Sequence, residues 1–237
     1  MLSDLRFALR QLFKSPGFTG IAVVTLALGI GLNTSMFSLM NLLILRPLPY
    51  PDKDHLVRVY RTAKQNPRAD HSPAAYLDLK RETAGFIDVA AYRQWGYTLI
   101  QPGRSPENLN GLRVSANFFT NLGLQPELGR VFAPAEDDAG NHVMIISHAA
   151  WLARFGGDPA VVGRTVSIDG EATTIIGVLP EKFSSLFLWG PGDAFRPLGL
   201  TELEKANRTD SALQVLGRFD HTLTLEQLNA RLAAVAT

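Results

Sequence analysis

Residues 18–45 (FTGIAVVTLALGIGLNTSMFSLMNLLIL) contain no charged side chain. A helix over this run, rising 1.5 Å per residue, reaches about 42 Å and can cross a hydrocarbon core of about 30 Å with tilt to spare. The run predicts one transmembrane helix near the start of the chain. The polar remainder, residues 46–237, predicts one globular domain of ordinary size, or one domain carrying a sub-domain. A cleaved signal sequence fits poorly, because its apolar region is about 7–15 residues long and ends at small residues. This run ends in Leu45-Arg46-Pro47-Leu48-Pro49-Tyr50. A helix buried in a soluble core is the bland alternative, and the run is long for it.

The flanks refine this reading. Arg6, Arg10 and Lys14 repeat at i, i+4 and i+8, with Leu2, Leu5, Leu9, Leu12 and Phe13 mostly on the opposite face. That pattern predicts an interfacial helix over residues 1–17, its basic face toward anionic lipid or a protein partner. A solvated basic face of no further consequence is the alternative. Ser15-Pro16-Gly17 is expected to break this helix before residues 18–45 enter the membrane. Inside the run, Ala27, Gly31 and Ser35 stand at i, i+4 and i+8, beside Thr34, Ser38 and Asn41. Small residues let helices approach closely and polar groups want partners in lipid, so the stripe points to further transmembrane helices. Hydroxyls bonding back to their own helix carbonyls would explain it equally well. Basic residues follow the run too (Arg46, Lys53, Arg58, Arg61, Lys64). Long domains translocate largely regardless of charge, so these leave the orientation open.

The net charge of +1 gives no electrostatic case for nucleic acid. The absence of cysteine excludes disulfides, zinc–thiolate sites and thiol nucleophiles. Strands are predicted over 55–60, 87–100 with an interruption at Gly96, 109–115, 143–147, 165–168, 171–178 and 213–219. Ser72-Pro73 opens a helix to about Thr83, closed by Gly85, and Ser147 caps a helix over 148–155. Asn117–Leu122 predicts a short helical turn, and Asp169-Gly170 a tight hairpin. Thr224-Leu-Glu-Gln227 is a capping box, and Leu225, Leu228, Leu232 and Val235 line one face of the last helix. Irregular alternation with antiparallel signals gives an α+β class.

No arrangement for catalysis, cofactor or metal stands out. His55, His71, His142, His148 and His221 are scattered without ligand spacing. Residues 157–165 have the wrong glycine spacing for a phosphate loop, and Arg164 stands where lysine is required. Glu136-Asp137-Asp138 reads as a solvated acidic turn rather than a cation site. One segment, Phe183 to Trp189, is aromatic and apolar within a loop. Its Phe183, Leu186, Phe187 and Trp189 are a candidate contact surface, or else they fold back to cap the core.

Many short motifs then occur in one order: Leu45-Arg-Pro-Leu-Pro-Tyr-Pro-Asp52, Leu56-Val-Arg-Val-Tyr60, Tyr76-Leu-Asp-Leu79, Val114-Ser-Ala-Asn-Phe-Phe119 and Leu128-Gly-Arg-Val-Phe132. They continue with Ile146-Ser-His148, Trp151, Arg154-Phe-Gly-Gly-Asp-Pro159, Val162-Gly-Arg164, Ile168-Asp-Gly170 and Ile176-Gly-Val-Leu-Pro180. Over nearly its whole length the chain resembles the amino-terminal part of MacB-type, FtsX-like ABC transporter permeases. The resemblance implies a cytoplasmic amino terminus, a helix crossing the cell (inner) membrane, and a periplasmic core domain over 46–237. That domain would be porter-like and α+β, with an inserted second lobe. It implies no catalytic residues and no cofactor. It implies work with further FtsX-like helices and a separate ABC ATPase whose motion the helices pass outward. The later membrane helices and the last strand of the core domain are expected to be missing, as in a fragment, a split gene or a shortened relative. The alternative is an anchored extracytoplasmic module that binds a ligand or partner without transport. A hydrolase is a distant third, lacking a nucleophile and base.

Overall fold

The computed structural model describes residues 14–40, 50–63, 66–183 and 192–235. The chain divides into two compact units, residues 1–48 and 49–237.

In the first unit, helix α1 covers Pro16–Met40, 25 residues that reach about 37 Å. It is the one described helix long and apolar enough to cross a membrane. Lys14 is helical, Ser15 is not, and α1 begins at Pro16, so the expected break falls at Ser15. The amide of Thr19 donates to the Ser15 carbonyl at 3.0 Å. Proline suits the first helical position because its missing N–H would have no intrahelical acceptor there.

The second unit is built on a nine-stranded mixed sheet. Its strands are β1 (Leu56–Val59), β4 (Ile87–Ile100), β5 (Glu107–Val114), β6 (Leu128–Gly129), β7 (Val143–Ile146), β8 (Thr165–Ile168), β9 (Glu171–Val178), β10 (Ala194–Pro197) and β11 (Gln214–Phe219). A separate hairpin joins β2 (Arg61–Ala63) to β3 (Asn66–Ala69). The helices are α2 (Pro73–Glu82), α3 (Phe118–Asn121), α4 (His148–Phe155), α5 (Glu202–Lys205) and α6 (Leu225–Val235).

β4 organises the unit because it serves two parts of the sheet in turn. Its first half pairs antiparallel with β11, which pairs with β1. Its second half pairs with β5 and, at its end, with β8. From there the pairings β5–β10, β10–β7, β7–β9 and β9–β8 return to β4, so these strands close a ring. Closure removes free edges. Gly96 does not interrupt β4: it stays in the ladder opposite Asn110. Asp169 and Gly170 turn β8 into β9 with φ of 54° and 86°, the paired positive values a tight primed turn requires. The Asp169 carboxylate accepts the Thr98 amide at 2.7 Å, which fastens that turn to β4.

Each half has its own core. Tyr97, Leu99, Leu109, Ile146, Ile168, Ile175 and Ala194 fill the ring. Val59, Tyr76, Val89, Ala91, Leu213, Val215 and Leu228 form the core beneath α2 and α6. Leu228 is buried and Leu232 packs against this core, whereas Leu225 faces solvent, so the apolar face of α6 begins one turn later than the sequence pattern gave. The second lobe is thus the ring, inserted between the first half of β4 and β11. It rests on two parallel pairings, β5–β10 and β7–β9, in an otherwise antiparallel α+β domain.

Candidate functional site

Chain direction places the first and last strands of the sheet together. β1 is its first strand and β11 its last, and they pair antiparallel with Leu56 opposite Arg218. The incoming segment before β1 and the outgoing segment after β11 therefore meet at one end of the sheet.

Arg218 fastens this junction. Its Nε donates to the Asn121 carbonyl at 2.6 Å, its Nη1 to the Asp52 carbonyl at 3.1 Å and its Nη2 to the Pro51 carbonyl at 3.0 Å. A planar guanidinium can hold several carbonyls at once in a way an ammonium cannot. Gly123, with φ of 69°, lets the chain pass under Pro51: a Cβ there would stand 2.6 Å from the Pro51 Cγ. Tyr50 is buried, and burial pushes its hydroxyl pKa up, so it stays a neutral phenol. Its ring lies 6.5 Å from that of Phe183, which in turn stands edge-on to Phe119 and Phe195.

Behind the junction, the Val114–Phe119 motif pins α3 to β4. Ser115 Oγ accepts the Ala91 amide at 3.0 Å and donates to Asn117, whose amide donates to Asp88 and to the Val89 carbonyl. Asn121 donates to the Asp88 carbonyl at 2.6 Å. Phe118 and Phe119 are wholly buried. The other recurrent motifs do similar work. Ser147 caps α4, Gly156 ends it with φ of 66°, and the Trp151 indole donates to the Asp158 carbonyl at 2.9 Å. These motif residues are caps, turns and core.

At the same junction three metal-competent side chains converge. Asp52, in left-handed backbone (φ 57°, ψ 37°), pairs with His221 at 3.1 Å and stands 4.0 Å from His55 Nδ1. The two imidazole rings lie 4.1 Å apart, and Phe219 backs His55 at 5.0 Å. His55 Nδ1 is buried with no hydrogen-bond partner. The residues lie at opposite ends of the domain sequence, so spacing could not reveal them. Only the β1–β11 pairing does.

The residues singled out from sequence are distributed as follows. Ala27, Gly31, Ser35 and Ser38 are exposed along α1, and a Cβ on Gly31 would meet nothing within 4 Å. Thr25, outside this stripe, bonds back to its own helix: its Oγ1 donates to the Ile21 carbonyl at 2.8 Å. Lys14 is exposed; Arg6, Arg10, Asn41, Leu186, Phe187 and Trp189 lie outside the described residues. The acidic turn is not solvated throughout. Arg130 holds Glu136 through two contacts of 2.7 and 2.8 Å and keeps its carboxyl below the usual range. Asp137 is turned inward, and burial pushes its carboxyl up.

The sequence model of the MacB-like periplasmic core domain matches residues 19–235. The chain belongs to this family. No curated protein matches it in sequence. Among solved structures it is similar to a domain of a putative permease from Porphyromonas gingivalis (18% identity, TM-score 0.57, 78% of this chain and 81% of that one). The periplasmic region of MacB from Actinobacillus actinomycetemcomitans is similar at 16% identity and TM-score 0.56, over 76% of this chain and 80% of that one. The extracellular domain of the noncanonic ABC-type transporter YknZ from Gram-positive bacteria follows at 17%, 0.52, and coverage of 74% and 88%. At these identities the likeness is one of fold. One apolar helix followed by a MacB-like periplasmic domain of the ABC-type permease kind is what the motifs implied.

Proposed function

We propose that the chain is a non-catalytic membrane component of an ABC transporter permease assembly, mechanically coupling an ATPase to an extracytoplasmic domain. One observation carries this reading: both ends of the domain leave the sheet side by side and are tied together through Arg218. A push on the incoming segment is then delivered to β1, β11 and α3 at once, and β4 carries it into the ring. Residues 1–17 lie at the cytoplasmic face, with Arg6, Arg10 and Lys14 toward lipid headgroups. Residues 18–45 cross the inner membrane, and Ala27, Gly31, Ser35, Ser38 and Asn41 pack against FtsX-like helices. Residues 46–237 lie outside. The family match and the fold of the three structural relatives support this arrangement.

The chain has no cysteine, so a single reporter thiol is clean. Leu203 is 85% exposed and serves as the site. A Leu203→Cys variant in intact spheroplasts should react with a membrane-impermeant maleimide. Reaction only after lysis would put the domain on the ATPase side and end the coupling proposal.

A further inference from the structure

We infer that Asp52, His55 and His221 form a binding site for a transition-metal dication of the zinc type, which staples the incoming segment of the domain to its outgoing segment. The inference rests on these side chains and not on the transport reading.

One donor atom from each residue lies within 4.8 Å of the others. Zinc bonds to imidazole nitrogen and carboxylate oxygen run about 2.0–2.2 Å, so two ligands on a tetrahedral centre stand about 3.4 Å apart. The Asp52 Oδ2–His221 Nε2 separation of 3.1 Å already matches that spacing. His55 Nδ1 stands 4.0 Å from Asp52 Oδ1, and with all donors within 4.8 Å a side-chain adjustment of up to about 1.4 Å brings the three to that spacing. That nitrogen is buried without a hydrogen-bond partner, a state that costs free energy unless something occupies its lone pair. A metal ion would.

The surroundings suit a cation. Phe219 packs against the His55 ring and fixes its plane. Arg218, the nearby guanidinium, is engaged with the main-chain carbonyls of Pro51 and Asp52. Two imidazoles and one carboxylate select zinc, copper or nickel over magnesium and calcium, which prefer all-oxygen shells. Three protein ligands leave a fourth position for water, so the bound ion stays exchangeable. Asp52 and His55 precede the first strand and His221 follows the last, so a shared ion closes the two ends of the sheet upon each other.

The test uses the full chain in detergent, purified without a histidine tag and titrated with zinc chloride by calorimetry. Metal content after dialysis is measured by mass spectrometry. We expect one zinc per chain. Changes even to outer-shell partners cost metal sites 10–100-fold, so His221→Ala and Asp52→Asn should each weaken binding by at least about tenfold. His221 is 64% exposed, which makes its variant a safe substitution for folding. Zinc should raise the thermal midpoint of the wild type and not of His221→Ala. His142→Ala, elsewhere on the ring, should bind as the wild type does. Absent zinc uptake, uptake unchanged in His221→Ala and Asp52→Asn, equal loss in His142→Ala, or equal affinity for magnesium would each overturn the assignment. The first outcome would leave Asp52 and His221 as a side-chain contact only.

Discussion

Removing the Arg218 clamp tests how firmly the incoming segment is joined to the domain. Arg218→Met keeps the aliphatic stem and deletes the donors to Asn121, Pro51 and Asp52. Hydrogen bonds from charged groups contribute about 1.5–3 kcal/mol each when their partners are left unpaired. The contact to Asn121 is part-buried and the other two are exposed to water, which can replace the lost donor. A loss of about 2–3 kcal/mol follows, rather than the full sum. For a domain of 150–250 residues each kcal/mol moves the midpoint about 2–4 °C, so the thermal midpoint should fall by roughly 4–12 °C. The assay is near-ultraviolet circular dichroism of the full chain in detergent, with chemical denaturation as a second probe. Arg218→Lys should recover only part of the loss, because one ammonium cannot span three carbonyls. A change below about 0.5 kcal/mol, the range of an ordinary surface substitution, would show that the clamp holds nothing.

Further outcomes follow from other positions. Gly123→Ala should destabilise by about 1–3 kcal/mol, from its positive φ and the clash with Pro51. Pro51→Ala in the same chain should relieve part of that cost, and strictly additive effects would refute the contact. Trp95 packs against the guanidiniums of Arg93 at 5.1 Å and Arg113 at 4.4 Å, which stand opposite each other on β4 and β5. Trp95→Ala should therefore cost about 1–2 kcal/mol in urea unfolding; an unchanged midpoint would count against these contacts. His71 is buried against the Val59 carbonyl, and burial lowers its pKa below 6.5. Its neutral form is the folded form, so its contribution is complete above pH 6.5 and is lost as pH falls through the depressed value. His71→Gln should flatten the decline in stability between pH 7 and pH 5 relative to the wild type. Identical slopes would remove His71 from the account.

What the sequence revealed is what is local. Ser72 and Ser147 each accept the amide three residues on, Thr224 and Gln227 bond each other's amides, and Asp169-Gly170 turns where expected. Caps and tight turns are set by a few neighbouring residues, so their chemistry is readable in place. The ring was not readable. β10 is four buried residues that include Arg196 and Pro197, and it joins β5 in parallel across a long stretch of chain. β6 is only two residues long, and β2 and β3 are too polar to show an apolar alternation. Gly96 looked like an interruption because glycine weakens strands, but cross-strand pairing on both sides carries β4 through it. The cluster of Asp52, His55 and His221 exists only through the β1–β11 pairing, which no local pattern announces.

The coupling proposal is met most directly by extracting the full chain from its native membranes in mild detergent and identifying what stays bound. The account predicts co-purification with an ABC-type ATPase and FtsX-like helices, and release of both when Gly31→Leu fills the small-residue stripe of α1. A chain that elutes alone, free of any ATPase and indifferent to Gly31→Leu, would contradict it.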